Sequence, residues 1–262
     1  MKREQLKEWL AKSRRAVFFG GAGVSTESGI PDFRSENGIY RTRKQYGVSP
    51  EEILSHHFFL EHPEIFYEYY RENLIYPDAK PNAAHKGLAF WESRGCLDSV
   101  VTQNIDGLHQ KAGSRKVWEL HGSVLRNTCM KCGRKYGLEA ITETKGIPRC
   151  TACGGRIKPD VVLYEEALDD SVVRESIHAI GQADLMIVGG TSLNVYPAAG
   201  LLQYYQGEHL VLINREETAW DSRADLVLHE NIGEVFEEIS RYVLQIESAC
   251  GIINNNKQMR KG

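Results

Sequence analysis

The chain reads AVFFGGAGVS over residues 16–25, a short apolar run followed by a turn that contains three glycines. Such a run is typical of a buried strand, and the turn after it carries little Cβ bulk. Backbone N–H groups in a turn of this kind approach a phosphate closely, and a following helix N-terminus adds partial positive charge. An ordinary tight turn also fits the glycines. The hypothesis that the stretch favours is dinucleotide binding, and it needs support from the rest of the chain.

Apolar runs bounded by turn residues recur at 99–102, 184–190, 210–214 and 226–228. Helical patterns alternate with them at about 82–94, 171–181, 197–206 and 232–247. Near-continuous Val, Ile and Leu runs between helices are typical of strands that are covered on both faces. The chain is therefore predicted to be an α/β protein with a doubly wound parallel sheet. A helix at 3–13 is predicted to precede the first strand and to bury Trp9.

Composition narrows the class of protein. The 262 residues suffice for one large α/β domain with insertions or for two domains, without disulfides. Charges nearly balance, with 32 Lys and Arg against 35 Asp and Glu, so neither a nucleic-acid nor a membrane-surface partner is predicted. Residues 1–10 carry charges throughout, and no apolar run approaches the length that crosses a bilayer. The expected location is the cytoplasm.

Four of the six cysteines form two C-x-x-C pairs that are 17 residues apart: Cys129, Cys132, Cys150 and Cys153. This pattern is typical of one tetrahedral Zn²⁺ bound by four thiolates. Because sulfur fills every ligand position, the predicted zinc is structural and holds no reactive water. Basic residues near the motif also fit a zinc ribbon that binds nucleic acid. A solvated basic face is favoured, since Tyr136 is the only aromatic residue that accompanies them.

Polar side chains follow the strand-like runs at several places: Gln103, Asn104 and Asp106, then His121, Thr191 and Ser192, and lastly Asn214. The carboxyl ends of parallel strands share one edge of a sheet, and ligands of open α/β sheets bind there. Taken alone, Asn104 and Asp106 equally fit a helix cap, and His121 fits a structural histidine. Their combination favours a binding site.

Two stretches interrupt the alternation and are predicted to be insertions that form a smaller domain. One is a helical insertion at 35–81, and the other is the zinc-binding insertion at 124–160. The sheet domain then comprises residues 1–34, 82–123 and 161–250. The tail at 251–262 lacks an apolar face and is predicted to be disordered.

Several motifs occur together and in order: GAGVS at 21–25, IPDFR at 30–34, TQNID at 102–106, HG at 121–122, the four-cysteine spacing and GTSL at 190–193. With them the chain closely resembles the sirtuins, NAD-dependent protein lysine deacylases, over about residues 10–245. The resemblance implies a Rossmann-like domain with a smaller inserted zinc-ribbon and helical domain. NAD and the acetylated lysine of a protein substrate are expected to meet in the cleft between the two.

The resemblance also implies site residues. His121 is the expected catalytic base, and Asn104 the second catalytic residue. The substrate's acyl oxygen is expected to attack the anomeric carbon as nicotinamide leaves, which yields free lysine and O-acyl-ADP-ribose. An added peptide strand is expected beside Val161, Val162 and Tyr164. The expected NAD contacts are Gly21, Ala22, Gly23, Thr26, Asp32, Phe33, Arg34, Gln103, Asn104, Ile105, Asp106, His121, Gly190, Thr191, Ser192, Asn214 and Ile232.

Two positions depart from the family pattern. Most sirtuins have Phe-Gly-Glu after a Pro-x-Val-Val segment, whereas residues 159–166 here read PDVVLYEE, so Glu165 replaces the glycine. Peptide pairing and sequence preference are therefore open, with a preference for basic flanking residues as one hypothesis. Sirtuins that prefer acidic acyl groups carry Tyr-x-x-Arg. Here Arg71 comes one place late after Tyr67, so an acetyl or other apolar acyl group is expected.

Three other readings of the chain use different chemistry. A protein ADP-ribosyltransferase would cleave the same cofactor for another nucleophile, and a non-catalytic NAD-sensing or zinc-ribbon module would not cleave it. Retention of His121, Asn104 and Asp106 favours an enzyme over a sensor. Hydride transfer by a dehydrogenase explains neither the cysteines nor residues 103–106. The oligomeric state is not indicated.

Overall fold

A computed structural model describes residues 1–31 and 43–244. Its strands are β1 Ala16–Gly20, β2 Ser99–Thr102, β3 Val117–Glu119, β4 Gly122–Cys129, β5 Lys135–Tyr136, β6 Ile157–Val161, β7 Leu185–Gly189, β8 His209–Ile213 and β9 Leu226–Leu228. Six of them form one parallel sheet in the order β3-β2-β1-β7-β8-β9. This order starts at β1 and runs outward in both directions, as in a doubly wound Rossmann sheet. The predicted fold is confirmed.

The α-helices are α1 Lys2–Lys12, α2 Pro50–Ile53, α3 His56–Glu61, α4 Pro63–Asn73, α5 Ala83–Ser93, α6 Leu108–Ala112, α7 Glu139–Thr142, α8 Asp170–Gly181 and α9 over 232–244. Side-chain caps begin two of the longer ones. Asn82 accepts the N–H groups of Ala84 and His85 at the start of α5, and Asp169 caps α8.

Helices cover both faces of the parallel sheet. On one face the buried side chains of α1, α5 and α9, among them Leu10, Trp91 and Phe236, pack against the strands. On the other face α8 and a 3₁₀ helix at Ala198–Tyr204 do the same. Every residue of β1 and of β7 is buried, as expected for near-continuous apolar runs in the centre of such a sheet.

A separate antiparallel sheet, in the order β5-β4-β6, contains the cysteine motifs. Helices α2 to α4 pack against it, and the Tyr67 hydroxyl of α4 donates to the carbonyl oxygen of Ile157 at 2.5 Å. The two stretches that interrupt the alternation thus share one core. The predicted boundaries at 123/124 and 160/161 fall inside β4 and β6, and the domain limits stay a prediction.

Two local expectations need correction. The pattern at 197–206 forms a 3₁₀ helix rather than an α-helix. Trp9 is half-buried instead of fully buried, because its ring stacks on His209 at the edge of the core, with 3.9 Å between ring centroids. Expectations for 32–34, 35–42 and 245–262, including the tail, lie outside the described residues. Within the described ranges, no helix is both long and apolar enough to traverse a lipid bilayer.

Candidate active site

Two glycine loops meet where the strand order reverses, at the carboxyl ends of β1 and β7. Gly23 donates its N–H to the carbonyl oxygen of Gly190 at 2.8 Å. A Cβ on Gly23 would lie 2.8 Å from the Gly190 Cα, and one on Gly190 would lie 2.4 Å from the Val24 nitrogen. Gly190 also has a φ of +60°, which residues with side chains rarely adopt. Glycine at both positions therefore lets the loops touch at the edge where open α/β sheets bind ligands.

A cleft opens above this contact, between the parallel sheet and the helical and cysteine-containing part of the chain. The structure brings most of the predicted site residues to its walls: Gly21, Ala22, Gly23, Gln103, Asn104, Ile105, Asp106, His121, Gly190, Thr191 and Ser192, together with Val161, Val162 and Tyr164. The amides, hydroxyls and exposed loop backbone of this set fit a dinucleotide, which needs donors for phosphates and both donors and acceptors for ribose.

Three predicted NAD contacts in the described residues do not line the cleft. Thr26 donates its hydroxyl to the carbonyl oxygen of Gly23 at 3.0 Å, and the Asn214 amide, beyond β8, donates to the carbonyl oxygen of Glu216 at 2.9 Å. Ile232 is buried in the core. Roles for these three in binding stay predictions. Asp32, Phe33 and Arg34 lie outside the described residues.

Ser25 connects the polar residues at the closed end of the cleft. Its hydroxyl donates to Asp106 Oδ2 at 2.7 Å and accepts from the Asn104 amide at 3.0 Å. Asp106 Oδ1 accepts the N–H of Leu108, the first residue of α6, at 2.8 Å, while Gly107 is the N-cap residue. Asp106 thus bonds the start of a helix and also lines the cleft. Neither Ser25, present in the GAGVS motif, nor the His85 beside it was among the predicted contacts.

Two buried histidines back this network. His85 Nε2 lies 3.4 Å from the Ser25 hydroxyl, and the His109 ring lies 4.8 Å from the His85 ring. Burial lowers the pKa of His85 to about 4, against an opposing effect of Asp106, and burial lowers the pKa of His109 to about 3. Both rings are therefore neutral at pH 7.

His121 follows β3 and immediately precedes β4, at the boundary between the two sheets. Its Nδ1 lies 3.0 Å from the carbonyl oxygen of Gln103. A carbonyl oxygen only accepts, so Nδ1 carries the hydrogen of the neutral ring, and Nε2 is the nitrogen that can take up a proton. This fixed tautomer is what a general base requires.

The four sulfur atoms lie within 4.8 Å of one another: those of Cys129, Cys132, Cys150 and Cys153. The Cys129–Cys153 and Cys132–Cys150 sulfurs are 3.5 and 3.6 Å apart. Tetrahedral Zn²⁺ with bonds of about 2.3 Å places its sulfurs about 3.8 Å apart, so the cluster fits this ion. The Tyr136 hydroxyl donates to the Cys150 sulfur at 3.0 Å, as an outer partner of a thiolate ligand does.

A family model, the Sir2 family, matches residues 21–197 of the chain. The chain belongs to the Sir2 family. The predicted resemblance to the sirtuins is therefore confirmed, on a match that contains the glycine loop, His121 and all four cysteines.

Relatives in this family match the chain over most of its length. An NAD-dependent protein deacetylase of Clostridium acetobutylicum is 58% identical over 236 residues, which are 90% of this chain and 96% of the relative. One of Clostridium perfringens is 57% identical and covers 90% and 97% of the two chains.

Solved Sir2 structures have the same fold. A Sir2 homologue in complex with NAD superposes with a TM-score of 0.84 at 36% identity, over 93% of this chain and 94% of the other. Sir2 with an inhibitor, 2'-O-acetyl-ADP-ribose and a deacetylated p53 peptide gives 0.79 at 38% identity, over 94% and 99%.

Arg71, the arginine placed one residue late for the Tyr-x-x-Arg pattern of some Sir2 proteins, does not reach the cleft. Its Nε donates to the carbonyl oxygen of Ile141 at 2.8 Å, and its Nη2 donates to that of Gly146. These bonds hold the guanidinium against the cysteine-containing part of the chain. Of the described residues that line the cleft, none is a lysine or an arginine.

The segment that follows β6 forms one wall of the Sir2 cleft. Tyr164 donates its N–H to Leu54 and accepts the N–H of His56, which ties the segment to the start of α3. Val162 donates its N–H to the carbonyl oxygen of His121 at 3.0 Å. The wall that carries the predicted peptide contacts is thus attached directly to the backbone of the predicted base.

Proposed function

We propose that this Sir2-family enzyme binds NAD and the acetylated lysine of a protein in one cleft and removes the acetyl group, with His121 as the base. The chain is an NAD-dependent protein deacetylase, in line with relatives at 53–58% identity that carry this name. The observation that supports the role of His121 best is its tautomer, fixed by Gln103 in a cleft that Asn104 and Asp106 also line.

Bound NAD supplies a sugar carbon that the acetyl oxygen of the substrate captures when nicotinamide leaves. The protein's task is to hold the two reactants in line and to keep water from that carbon. Asn104 and Asp106, both bonded to Ser25, would hold polar groups of the reactants in the cleft. With Nδ1 bonded to Gln103, His121 Nε2 would take a proton from a ribose hydroxyl, which would start acyl transfer to the sugar.

The metal is assigned a structural role. Cys129, Cys132, Cys150 and Cys153 would hold Zn²⁺ with no position for water, so the ion would stabilise the small sheet rather than take part in the reaction. Thiolates kept for a metal also support a reducing compartment, and we assign the protein to the cytoplasm on that ground. We retain the proposed division into a sheet domain of 1–34, 82–123 and 161–250 and a small domain of 35–81 and 124–160.

One assay tests the function. The protein is incubated with NAD and an acetyl-lysine peptide, and nicotinamide release and peptide mass are followed. We expect one acetyl group lost for each nicotinamide released. A peptide or protein that gains the mass of ADP-ribose would instead show ADP-ribosyl transfer, and the absence of any NAD cleavage would contradict both activities.

Replacing Ser25 with alanine should weaken the reaction, because its hydroxyl holds Asn104 and Asp106 in position. The change removes the link between Asn104 and Asp106, and the loss of a hydrogen bond to a charged group costs about 1.5–3 kcal/mol, or roughly tenfold to a hundredfold in kcat/KM for NAD. Steady-state kinetics at varied NAD measures it. Ser28→Ala is the matched control, since the Ser28 hydroxyl makes no hydrogen bond with the described residues, and equal losses in the two variants would contradict the prediction.

The acyl group should be uncharged. Arg71 is bonded to carbonyl oxygens outside the cleft, and the described residues that line the cleft include no lysine or arginine, so this part of the chain offers a succinyl carboxylate no positive partner against its desolvation. We expect kcat/KM for a succinyl-lysine peptide to be at least tenfold below that for the matched acetyl peptide. A tenfold loss corresponds to about 1.4 kcal/mol, which is within the usual cost of burying a polar group without a partner. Equal rates on the two peptides would contradict this, and Arg71→Ala should not change their ratio.

A further inference from the structure

Glu165 lies on the wall of the cleft that follows β6, where it is unusual in both conformation and charge. Its φ is +75°, a left-handed conformation that side-chain-bearing residues rarely adopt. The neighbouring Tyr164 is hydrogen-bonded on both sides to Leu54 and His56, so the backbone on one side of Glu165 is fixed. The backbone conformation at this position therefore suits glycine better than glutamate. We look to the contacts of the Glu165 side chain for the reason that a glutamate is present.

The carboxylate of Glu165 is oriented by His57. It accepts the backbone N–H of His57 at 3.1 Å and contacts His57 Nδ1 at 2.7 Å. These bonds, the backbone one first, hold the pKa of Glu165 below its usual range, so the group is charged at neutral pH. The side chain nevertheless stays 50% exposed at the mouth of the cleft. A carboxylate has room for further donors beyond these two.

Glu166, the next residue, has a different role. Its side chain is only 19% exposed, and Lys158 Nζ, His56 Nδ1 and the Leu163 N–H surround it at 2.8–2.9 Å. Burial alone would raise its pKa, but these bonds outweigh burial and lower it. Lys158 balances the charge of Glu166, so this glutamate holds the loop together and offers little to a ligand.

No basic side chain among the described lining residues faces Glu165 within the cleft. Val195, Tyr196 and Pro197 also line the cleft, and the described lining residues include neither lysine nor arginine. Glu165 is thus a fixed negative charge, half in solvent, beside the opening through which a protein substrate reaches His121. A positive group on that substrate complements it.

We propose that Glu165 is a specificity-determining residue that favours protein substrates with a lysine or arginine next to the acetylated lysine. The proposal rests on the proposed function, since it concerns the substrate of that same cleft. An exposed ion pair contributes little, about two- to fivefold in binding at low salt, so Glu165 ranks substrates rather than admitting or excluding them.

The test uses the full chain, NAD and three acetyl-lysine peptides that differ only at the residue flanking the modified lysine: Lys, Gln or Glu. We expect kcat/KM in the order Lys above Gln above Glu, with the Lys peptide about two- to fivefold above the Glu peptide at low salt. The difference should lie in KM, because the flanking charge is bound equally before and during the reaction. It should shrink as salt is raised.

Two variants separate charge from backbone conformation. Glu165→Gln keeps the size and removes the charge, and Glu165→Gly removes the side chain at a φ that suits glycine; both should bring the Lys-to-Glu ratio to about one. Glu61→Gln, at an exposed glutamate of α3 away from the cleft, should leave the ratio unchanged.

The possible failures are distinguishable. Deacetylation of all three peptides at equal rates, or a ratio that survives in Glu165→Gln, overturns the proposal and leaves the proposed function standing. Failure to deacetylate any of the peptides overturns both.

Discussion

Replacing His121 with alanine should lower kcat for deacetylation by about 10²–10⁴-fold, the usual contribution of a general base, while NAD still binds. The Gln103 carbonyl holds Nδ1, so Nε2 is the atom whose removal matters. The other predicted NAD contacts, those of the glycine loops and of residues 103–106, are retained in this variant. Calorimetric titration with NAD and single-turnover deacetylation measure the two effects separately.

The control for this variant is His178→Ala, which removes an exposed imidazole from α8. It should deacetylate at the wild-type rate. Retention of wild-type kcat in His121→Ala would contradict the assigned role. Loss of NAD binding together with activity would instead mean that the ring supports the cleft rather than the proton transfer.

Replacing Cys129 with alanine should release the metal and unfold the small sheet. Binding of structural zinc contributes about 10–16 kcal/mol to the folding of such modules, and three thiolates cannot close a tetrahedral site. Cys129 is the last residue of β4, and β4 begins directly after His121. Loss of the metal should therefore also lower deacetylase activity, although none of the four cysteines lines the cleft.

Metal content by mass spectrometry and a thermal melt followed by circular dichroism check this second expectation. Cys96→Ala is the control, because Cys96 lies outside the cluster. The Cys96→Ala protein should keep its zinc and the wild-type melting curve. A Cys129→Ala protein with full zinc content and an unchanged melting curve would contradict the structural assignment.

The parts of the fold that could be predicted are those in which the residue types of a short segment match its place in the folded protein. The run at 16–20 is apolar at every position because β1 is covered on both faces, and the glycines after it are required by the contact between Gly23 and Gly190. The C-x-x-C pairs were equally predictable, since the ligand geometry of one ion dictates their spacing.

The parts that sequence reasoning missed depend on contacts between distant segments. Ser25 joins Asn104 and Asp106, which follow it by 79 and 81 positions, and nothing local marks it as the link. His85 takes part in the cap of α5. Only the packed structure shows that the same ring also touches Ser25.

Glu165 and Arg71 are two further positions at which the sequence alone was not sufficient. Sequence reasoning marked both as departures from a family pattern but could not say which way their side chains lie. The structure holds Arg71 on two carbonyl oxygens and leaves Glu165 half in solvent at the cleft. The difference is set by partners some 70 to 110 positions away in the chain.

The order in which the chain visits the cleft has a consequence for how such enzymes diversify. Helices α2 to α4 lie between β1 and β2, and the small sheet lies between β3 and β7, so each module departs from the parallel sheet and returns to it. A change in the length or charge of either module would alter the wall of the cleft that this module supplies, and it would leave the contact between Gly23 and Gly190 in place. Substrate preference can therefore change during evolution while the parallel sheet and its glycine loops stay the same.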